Sequence, residues 1–276
     1  MLTIKNNLMS ANAARHLSHS YDSLSESVEH LSSGQRINRA SDDAAGLAVR
    51  EYLRSEVAAL KQGARNTADA INLLQTVEGA MSAIDSALIR MKQLAEQAAT
   101  ESYSETQRRI MDDEFKQMAE EIDRITGASD FNSIRMLDSA TGSTIIHFCR
   151  TSYLEVSHVD VTSTALGIDS ATAMLTGADG TAAQTALTQV TTAIERKDSA
   201  RAYFGGMMNR LESSMDVIGI EAENLIASES RISDADVAVD MASLTRSQVI
   251  SEAGVAMLSQ ANVIPKMGLQ LLNAGT

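Results

Sequence analysis

Apolar residues recur at alternating steps of four and three along five segments of this 276-residue chain. Such spacing places them on one side of an α-helix, as in the seam of a coiled coil or helical bundle. Near the start of the chain the stripe comprises Leu17, Tyr21, Leu24, Val28 and Leu31. The pattern therefore predicts a mainly α protein built from long, paired helices.

Capping patterns and breaks set the bounds of the first three helices. The break Ser32-Ser33-Gly34 ends the first helix, because glycine readily closes a helix C-terminus. Ser41-Asp42-Asp43 then serves as the N-cap of a second helix over about 44–100. Ser104 and Gln107 form a capping box that opens a third helix.

The rest of the chain is predicted to hold a small hairpin and two further helices. Apolar and polar residues alternate over 145–161, which predicts two short strands. Thr181 and Gln184 open a fourth long helix, and the break 233–236 separates it from the last one. We therefore expect a long antiparallel coiled-coil or helical-bundle rod with a small β-hairpin and paired termini.

The last helix carries two adjacent apolar rows instead of one. They comprise Val249, Ala253, Ala256, Gln260, Val263 and Met267, and beside them Ile250, Gly254, Met257, Ala261 and Ile264. Pairing with the first helix covers one row, so the second row requires another neighbouring helix. Other copies of the chain supply it, and we expect the outer segments, 1–40 and 235–276, to be poorly ordered in the monomer and to fold on assembly.

Composition excludes several classes of partner. Aromatic residues make up 3% of the chain and tryptophan is absent, which fits narrow helix seams better than a thick core. The net charge of −13 disfavours nucleic acid and anionic membranes. The chain has neither a stretch of about 18 apolar residues nor an N-terminal apolar h-region. We expect neither a membrane span nor a cleaved signal peptide.

The polar clusters do not predict an enzyme or a cofactor. His16 and His19 lie three residues apart, and His147, Cys149 and His158 surround the hairpin, but neither group supplies the four ligands of a zinc site. Glu155-x-x-His158 falls in strand-like sequence without a second copy, unlike the motif of di-iron helical bundles. We expect no metal, no cofactor and no enzymatic activity.

A set of motifs near both ends resembles the bacterial flagellins. The motifs, in order along the chain, are Leu31-Ser32-Ser33-Gly34-Gln35-Arg36-Ile37-Asn38, Ser41-Asp42-Asp43-Ala44-Ala45-Gly46, Ala68-Asp69-Ala70, Gln75-Thr76-Val77-Glu78-Gly79-Ala80, Phe131-Asn132, Ser230-Arg231-Ile232-Ser233-Asp234-Ala235-Asp236, Gln260-Ala261-Asn262 and Pro265. The resemblance covers nearly the whole chain except about 140–180. It implies a structural subunit that polymerises into the flagellar filament for motility.

The resemblance also implies a domain organisation and partners. Segments 1–40 and 235–276 would form the inner tube of the filament, and 41–234 its outer wall, with no large outer domain. The family is exported unfolded through the flagellar channel to an extracellular filament. The resemblance further implies three kinds of partner: an export chaperone that holds the C-terminal segment, a filament cap and hook-junction proteins.

Two sets of residues follow as candidate sites. The predicted assembly interface comprises Leu17, Tyr21, Leu24, Val28, Leu31, Val249, Ala256, Met257, Val263, Ile264, Met267 and Leu271. Many flagellins are recognised by Toll-like receptor 5, and the positions that match the recognised pattern here are Leu88, Arg90, Leu94 and Glu114. Ile89 departs from that pattern, which usually has a polar residue there.

Two other structural classes compete with a filament subunit. A hook–filament junction protein shares flagellin-like termini, and a coiled-coil signalling module would form a stable monomer or dimer. The motifs at both ends together favour the filament subunit, and growth of long filaments from seeds distinguishes it from both alternatives.

Overall fold

The computed structural model describes residues 6–149, 152–177 and 180–274. The side chains of the last helix are described through Met267 and again at Gln270. In chain order the elements are α1 (Leu8–Ser33), α2 (Ala44–Ala99), α3 (Glu105–Ala128), β1 (Asp130–Phe131), β2 (Ile134–Arg135), β3 (Ser143–His147), β4 (Tyr153–Ser157), α4 (Ser163–Leu166), α5 (Thr181–Ser233) and α6 (Val237–Ala274). The mainly α fold with paired termini and a small hairpin is confirmed.

The predicted capping at the end of α1 and at the starts of α2 and α3 agrees with the structure, because each depends on local sequence. Gly34 follows α1 in the left-handed conformation, with its amide bonded to the carbonyl of His30. Asp43 accepts a hydrogen bond from the amide of Gly46 in the first turn of α2. Ser104 and Gln107 form the reciprocal capping box of α3.

Two short elements were not predicted from the sequence. β1 and β2 form a hairpin of two residues per strand, closed by Asn132 and Ser133, which both have positive φ. The helix α4 occupies four residues of 162–180, a segment rich in Ser, Thr, Ala and Gly whose composition predicts a loop. Both elements are too short to show a periodicity of their own.

The described chain divides into two compact units. The terminal unit comprises the described residues up to Val57 and from Asn224 onward, and the central unit comprises Ala58–Glu223. This division describes compact units within one chain. The prediction of an inner tube (1–40 and 235–276) and an outer wall (41–234) describes positions in a filament, and it stays a prediction.

The core of the central unit consists of large apolar side chains. The largest fully buried ones include Phe115, Phe204, Met81, Ile84 and Leu88. The sequence predicts an apolar stripe on α2 at Val77, Ala80, Ile84, Ala87, Met91, Leu94 and Ala98. Ala80 is half-buried and the other six are buried, so the stripe contributes to this core. Helical periodicity therefore identified the buried face of α2.

Buried charges of the central unit are paired. Lys197 on α5 bonds to Asp85 on α2 and to Asp198 at 2.7 Å. Burial lowers the pKa of Lys197, but the two carboxylates outweigh that effect, so its pKa lies above the usual value. Arg108 on α3 donates to the carbonyl of Ala98 at 3.0 Å, at the end of α2. Such pairs satisfy the polar groups that the narrow core encloses.

The β3–β4 hairpin lies directly against α2. A Cβ atom at Gly63 would be 1.5 Å from the carbonyl oxygen of Phe148, so only glycine permits this approach. The side-chain amide of Asn66 donates to the carbonyl of His147 at 3.1 Å. On the other strand, the amide of Ser157 donates to the hydroxyl of Tyr203 on α5 at 2.8 Å.

Candidate assembly surface

Helices α1 and α6 pack side by side and run antiparallel, and we call them the terminal pair. Sequence numbers fall along α6 as they rise along α1 in three contacts: Asn7 Nδ2 to Ala261 O at 2.8 Å, Leu17 Cδ1 3.2 Å from a Cβ atom built at Gly254, and His30 Nδ1 to Asp240 Oδ1 at 3.7 Å. The predicted pairing of the chain ends is therefore present within one molecule.

The seam of the terminal pair is built mainly from small and polar residues. On α1 the buried and half-buried row comprises Ser10, Ala13, Leu17, Ser20, Leu24, Ser27 and Leu31. On α6 it comprises Asp240, Leu244, Ser247, Ser251, Gly254, Leu258 and Ala261. Both rows step by four and three, so each forms one straight face of its helix.

The seam corrects the predicted pairing face of α6. Neither predicted row as a whole packs against α1, and the first row lies two residues away from the seam row. At 3.6 residues per turn, two residues correspond to about 200° around the helix, which is the opposite side. The reason is chemical: serine, glycine and alanine allow the helix backbones to approach closely, although they do not register as an apolar stripe.

Large apolar side chains of α6 point away from the seam. Val249 is 60% exposed and Met257 63% exposed, and the exposed set includes Val237, Val239, Met241, Ile250, Val255, Val263 and Met267. Ala256 is also exposed, and Ile264 is half-buried. Leu271 was predicted to join this interface, and its side chain lies outside the described residues. We call the exposed row Val249, Ala253, Ala256, Gln260, Val263 and Met267 the outer row.

The predicted stripe of α1 divides between the seam and the exposed surface. Leu17, Leu24 and Leu31 are half-buried members of the seam. Tyr21 and Val28 are each 49% exposed beside it. The stripe therefore supplies both an intramolecular contact and part of the exposed apolar surface.

Helix α6 carries few charged residues for its length. Within the 38 residues of α6 the charged residues are Asp240, Arg246, Glu252 and Lys266. A helix that is apolar on nearly all sides is typical of one that is surrounded by other chain segments. One partner, α1, covers a single side, so α6 leaves extensive apolar surface in contact with water.

At one end of the terminal pair, hydrogen bonds join the α1–α2 break to the α5–α6 break. Gln35 and Asp234 form an antiparallel bridge, flanked by bonds from Arg36 N to Ser233 O at 2.6 Å and from Ala235 N to Gly34 O at 3.0 Å. We call these residues, 34–37 and 232–235 together with Arg50, the clasp.

Two arginines complete the clasp. Arg50 is 7% exposed, and its Nη1 donates to the carbonyl of Ile37 at 2.6 Å and to the side-chain oxygen of Gln35 at 3.1 Å. Arg36 Nη2 donates to the carbonyl of Ile232 at 2.7 Å. Arginine suits this position because its planar group carries several donors in fixed directions.

Asp42 stabilises the loop between the clasp and α2. Its Oδ2 atom accepts hydrogen bonds from the amides of Arg39 at 2.8 Å and Asn38 at 3.1 Å. The amide of Arg39 is the main reason that the pKa of Asp42 lies below its usual value. Asp42 and Asp43 thus act as structural acceptors for backbone amides, as the capping interpretation predicted.

The structure separates the four predicted receptor positions into two pairs. Arg90 and Glu114 are exposed and form an ion pair of 2.7 Å between α2 and α3. Leu88 and Leu94 are buried at 0% and 2% exposure, so in this conformation they belong to the core, and their contact with a receptor stays a prediction. Their periodicity marks the core face of α2 instead.

The described residues contain no group of three or more histidine, cysteine, aspartate or glutamate side chains placed to hold a metal ion. Within those same residues, none of the helices combines the length and apolar character needed to cross a membrane. Among the described residues, the feature that most calls for a functional explanation is the exposed apolar side of the terminal pair.

Comparison with known proteins agrees with this arrangement at both ends of the chain. A model of the bacterial flagellin N-terminal helical region matches residues 4–141, and one of the bacterial flagellin C-terminal helical region matches residues 187–272. Among curated proteins, flagellin of Halalkalibacterium halodurans is 39% identical over 277 residues, covering 98% of this chain and all of the relative.

Further relatives have the same length range. Flagellin of Bacillus subtilis is 34% identical over 304 residues, covering 98% of this chain and all of that protein. The flagellar filament 30.7 kDa core protein of Treponema maltophilum is 33% identical over 285 residues, covering 99% and 100%. A structure described as a flagellar hook-associated protein of Vibrio parahaemolyticus, 13% identical, has a TM-score of 0.60 and covers 70% of this chain and all of that one, which shows a shared fold.

Proposed function

Because this chain belongs to the bacterial flagellin family, we propose that it builds the flagellar filament through the exposed outer side of its terminal pair. The chain is a structural subunit of the filament, as its full-length relatives are named flagellin and filament core protein. The alternative of a hook–filament junction protein is not favoured. The family is one of extracellular structural proteins.

The exposure of the outer row carries the proposal about the interface. Burying one valine or methionine side chain removes it from water at a gain of about 1.5–3 kcal/mol. Val249, Val263 and Met267 therefore provide several kcal/mol once a second copy covers them. Because the exposed apolar residues of α6 are spread over more than one row, contacts with more than one neighbouring copy fit it better than a single dimer contact.

The proposed inner tube consists of segments 1–40 and 235–276, with 41–234 as the wall. The apolar character of α6 supports this assignment, since the position with most neighbours in a polymer is the one farthest from solvent. We propose that these segments are only partly ordered before assembly, because the seam buries few large side chains. Circular dichroism tests this: helicity per residue is expected to rise on polymerisation, and equal helicity in both states contradicts it.

Export and its partners follow from the same surface. We propose that the chain passes unfolded through the flagellar channel without a cleaved signal peptide, and that an export chaperone covers the apolar C-terminal segment beforehand. The cap and hook-junction proteins would bind the same type of apolar helix at the two ends of the growing filament. A soluble chaperone that binds the chain equally well after deletion of 237–276 would contradict this part.

Recognition by Toll-like receptor 5 is a second proposal, now limited to exposed residues. Arg90 and Glu114 present a charged pair on α2 and α3, and Ile89 adds an exposed apolar side chain beside it. We expect Arg90→Ala to lower receptor signalling by purified monomers. Unchanged signalling by Arg90→Ala, with wild-type helicity, would contradict receptor recognition at this pair.

Seeded filament growth tests the main proposal. Val249→Asp combined with Val263→Asp places two charges in the outer row, and we expect elongation from wild-type seeds to cease. Val249→Ile with Val263→Ile changes the same positions but keeps them apolar, so elongation should continue. Growth of the aspartate variant at the wild-type rate would contradict the proposed interface.

A further inference from the structure

The seam between α1 and α6 does not by itself select one alignment of the two helices. Leu17 lies against Gly254, and at that register Leu24 is level with Ser247 and Ser20 with Ser251. Large residues of α1 thus face small residues of α6. A shift of seven residues brings Leu17 to Ser247 or Ala261 instead, which are also small.

Polar contacts along the seam add little selectivity. Asn7 donates to the main-chain carbonyl of Ala261, and every residue of α6 offers such a carbonyl. His30 and Asp240 are 3.7 Å apart, longer than a good hydrogen bond. Coiled coils with weak seam selectivity rely on a specific polar contact to fix their register.

The clasp has the properties of such a contact. It lies where α1 ends and α6 begins, and its main-chain bonds join particular residues, Arg36 to Ser233 and Ala235 to Gly34. Arg50, a buried member of the clasp, donates to two points of the same loop, Ile37 and Gln35. A shift of α6 along α1 by seven residues, about 10.5 Å, would break both main-chain bonds between the two loops, whereas the bonds of Arg50 hold the 35–37 loop in the conformation that forms them.

We propose that the clasp fixes the register of the terminal pair, with Arg50 as its positioning residue. Arg50 acts through the loop 35–37, since it holds the loop in the conformation that pairs with 232–235. The register itself does not depend on the proposed function, but its role in assembly rests on that function. A single register aligns the outer row of α6 with Tyr21 and Val28 of α1, so that all copies present the same surface.

Disulfide trapping in the monomer reads the register directly. In a Cys149→Ser background, Ser251→Cys is combined in turn with Ala13→Cys, Ser20→Cys or Ser27→Cys, three seam positions separated by seven residues. Only the pair at 20 and 251 is level in the observed register. Because a disulfide requires Cα atoms within about 7 Å, a pair displaced by about 10.5 Å reports a shifted alignment.

Arg50→Gln shortens the side chain and removes its forked donors. We expect the yield of the displaced pairs, relative to the pair at 20 and 251, to rise at least about five-fold. Arg54→Gln is the matched control, because Arg54 lies one turn further along α2, is exposed and forms no bond with the clasp loops. It should leave the ratio unchanged.

An unchanged ratio in Arg50→Gln would overturn the proposal, and so would an equal rise in Arg54→Gln. If Arg50→Gln does not fold, Arg50→Lys is measured by the same ratio, since lysine keeps the charge but not the fork that reaches both acceptors. Failure of the outer-row variants to affect filament growth would contradict the proposed function alone, because trapping is done on monomers and does not require assembly.

Discussion

The central unit buries its large apolar residues, whereas the terminal pair exposes many of its own to water. In the central unit, Phe204 and Met81 are fully buried, and the buried Lys197 is paired with Asp85 and Asp198. In the terminal pair, serine, alanine and glycine occupy much of the seam, while Val249 and Met257 face water. The central unit has its hydrophobic core within one chain, whereas the terminal pair leaves large apolar side chains exposed, and we propose that other copies cover them.

Truncation of one large side chain in each region should give the largest difference between the two regions in the free energy of unfolding. We expect Phe204→Ala to lower the free energy of unfolding of the monomer by about 3–5 kcal/mol, because it leaves a cavity in a closed core. Met257→Ala should change it by less than about 0.5 kcal/mol, since the side chain is exposed. Urea denaturation of both variants measures the difference, and similar losses would show that the two regions do not differ in this way.

Close packing against the hairpin is a second property of the central unit. Gly63→Ala places a methyl group on the backbone of Phe148, and we expect it to destabilise the unit by about 1–3 kcal/mol. Gly79→Ala on the same helix meets nothing within 4 Å, so it should be neutral or stabilise by about 0.5–1 kcal/mol. Thermal unfolding compares them, and equal midpoints would mean that the hairpin moves without cost.

The small residues of the terminal seam should resist enlargement. Ser251 is 5% exposed between the helices, so Ser251→Leu should push α6 away from α1 and speed amide exchange in both by about ten-fold or more. Ser259→Leu on the exposed side of α6 is the control and should leave exchange unchanged. Equal protection in the two variants would indicate that the seam is not closely packed.

The smallest expected effect is at the turn between β1 and β2. Ser133 has a φ of 66°, a conformation that costs a non-glycine residue free energy. Ser133→Gly should stabilise the central unit by about 0.5–1 kcal/mol. Ser129→Gly, where φ is −79°, should not stabilise it. A loss of stability in Ser133→Gly would show that the serine side chain contributes more than its backbone strain costs.

Sequence reasoning was reliable where the signal is local. The capping box of Ser104 and Gln107, the break at Gly34 and the apolar stripe of α2 depend on neighbouring residues, and each agrees with the structure. The need of α6 for additional neighbours, which its two apolar rows indicate, stays a prediction. The outer-row residues themselves stay a prediction as an intersubunit interface.

Sequence reasoning failed where a choice between faces depends on tertiary contacts. The seam row of α6 contains Ser247, Ser251 and Gly254, which carry no hydrophobic signal although they lie between two helices. The resemblance makes Leu88 and Leu94 candidate receptor positions, but both are buried in this conformation, and only Leu94 belongs to the predicted apolar stripe of α2. The clasp was missed because Arg36 and Arg50 act on residues that are about 200 positions away or in a loop.

Thiol labelling at Met257 tests most directly whether other copies complete the core of the terminal pair. In a Cys149→Ser background, Met257→Cys provides one reactive group on the exposed apolar side of α6. We expect rapid labelling in free monomers and labelling at least about ten-fold slower in assembled filaments, because neighbouring copies cover the site. Equal labelling rates in monomers and filaments would contradict it.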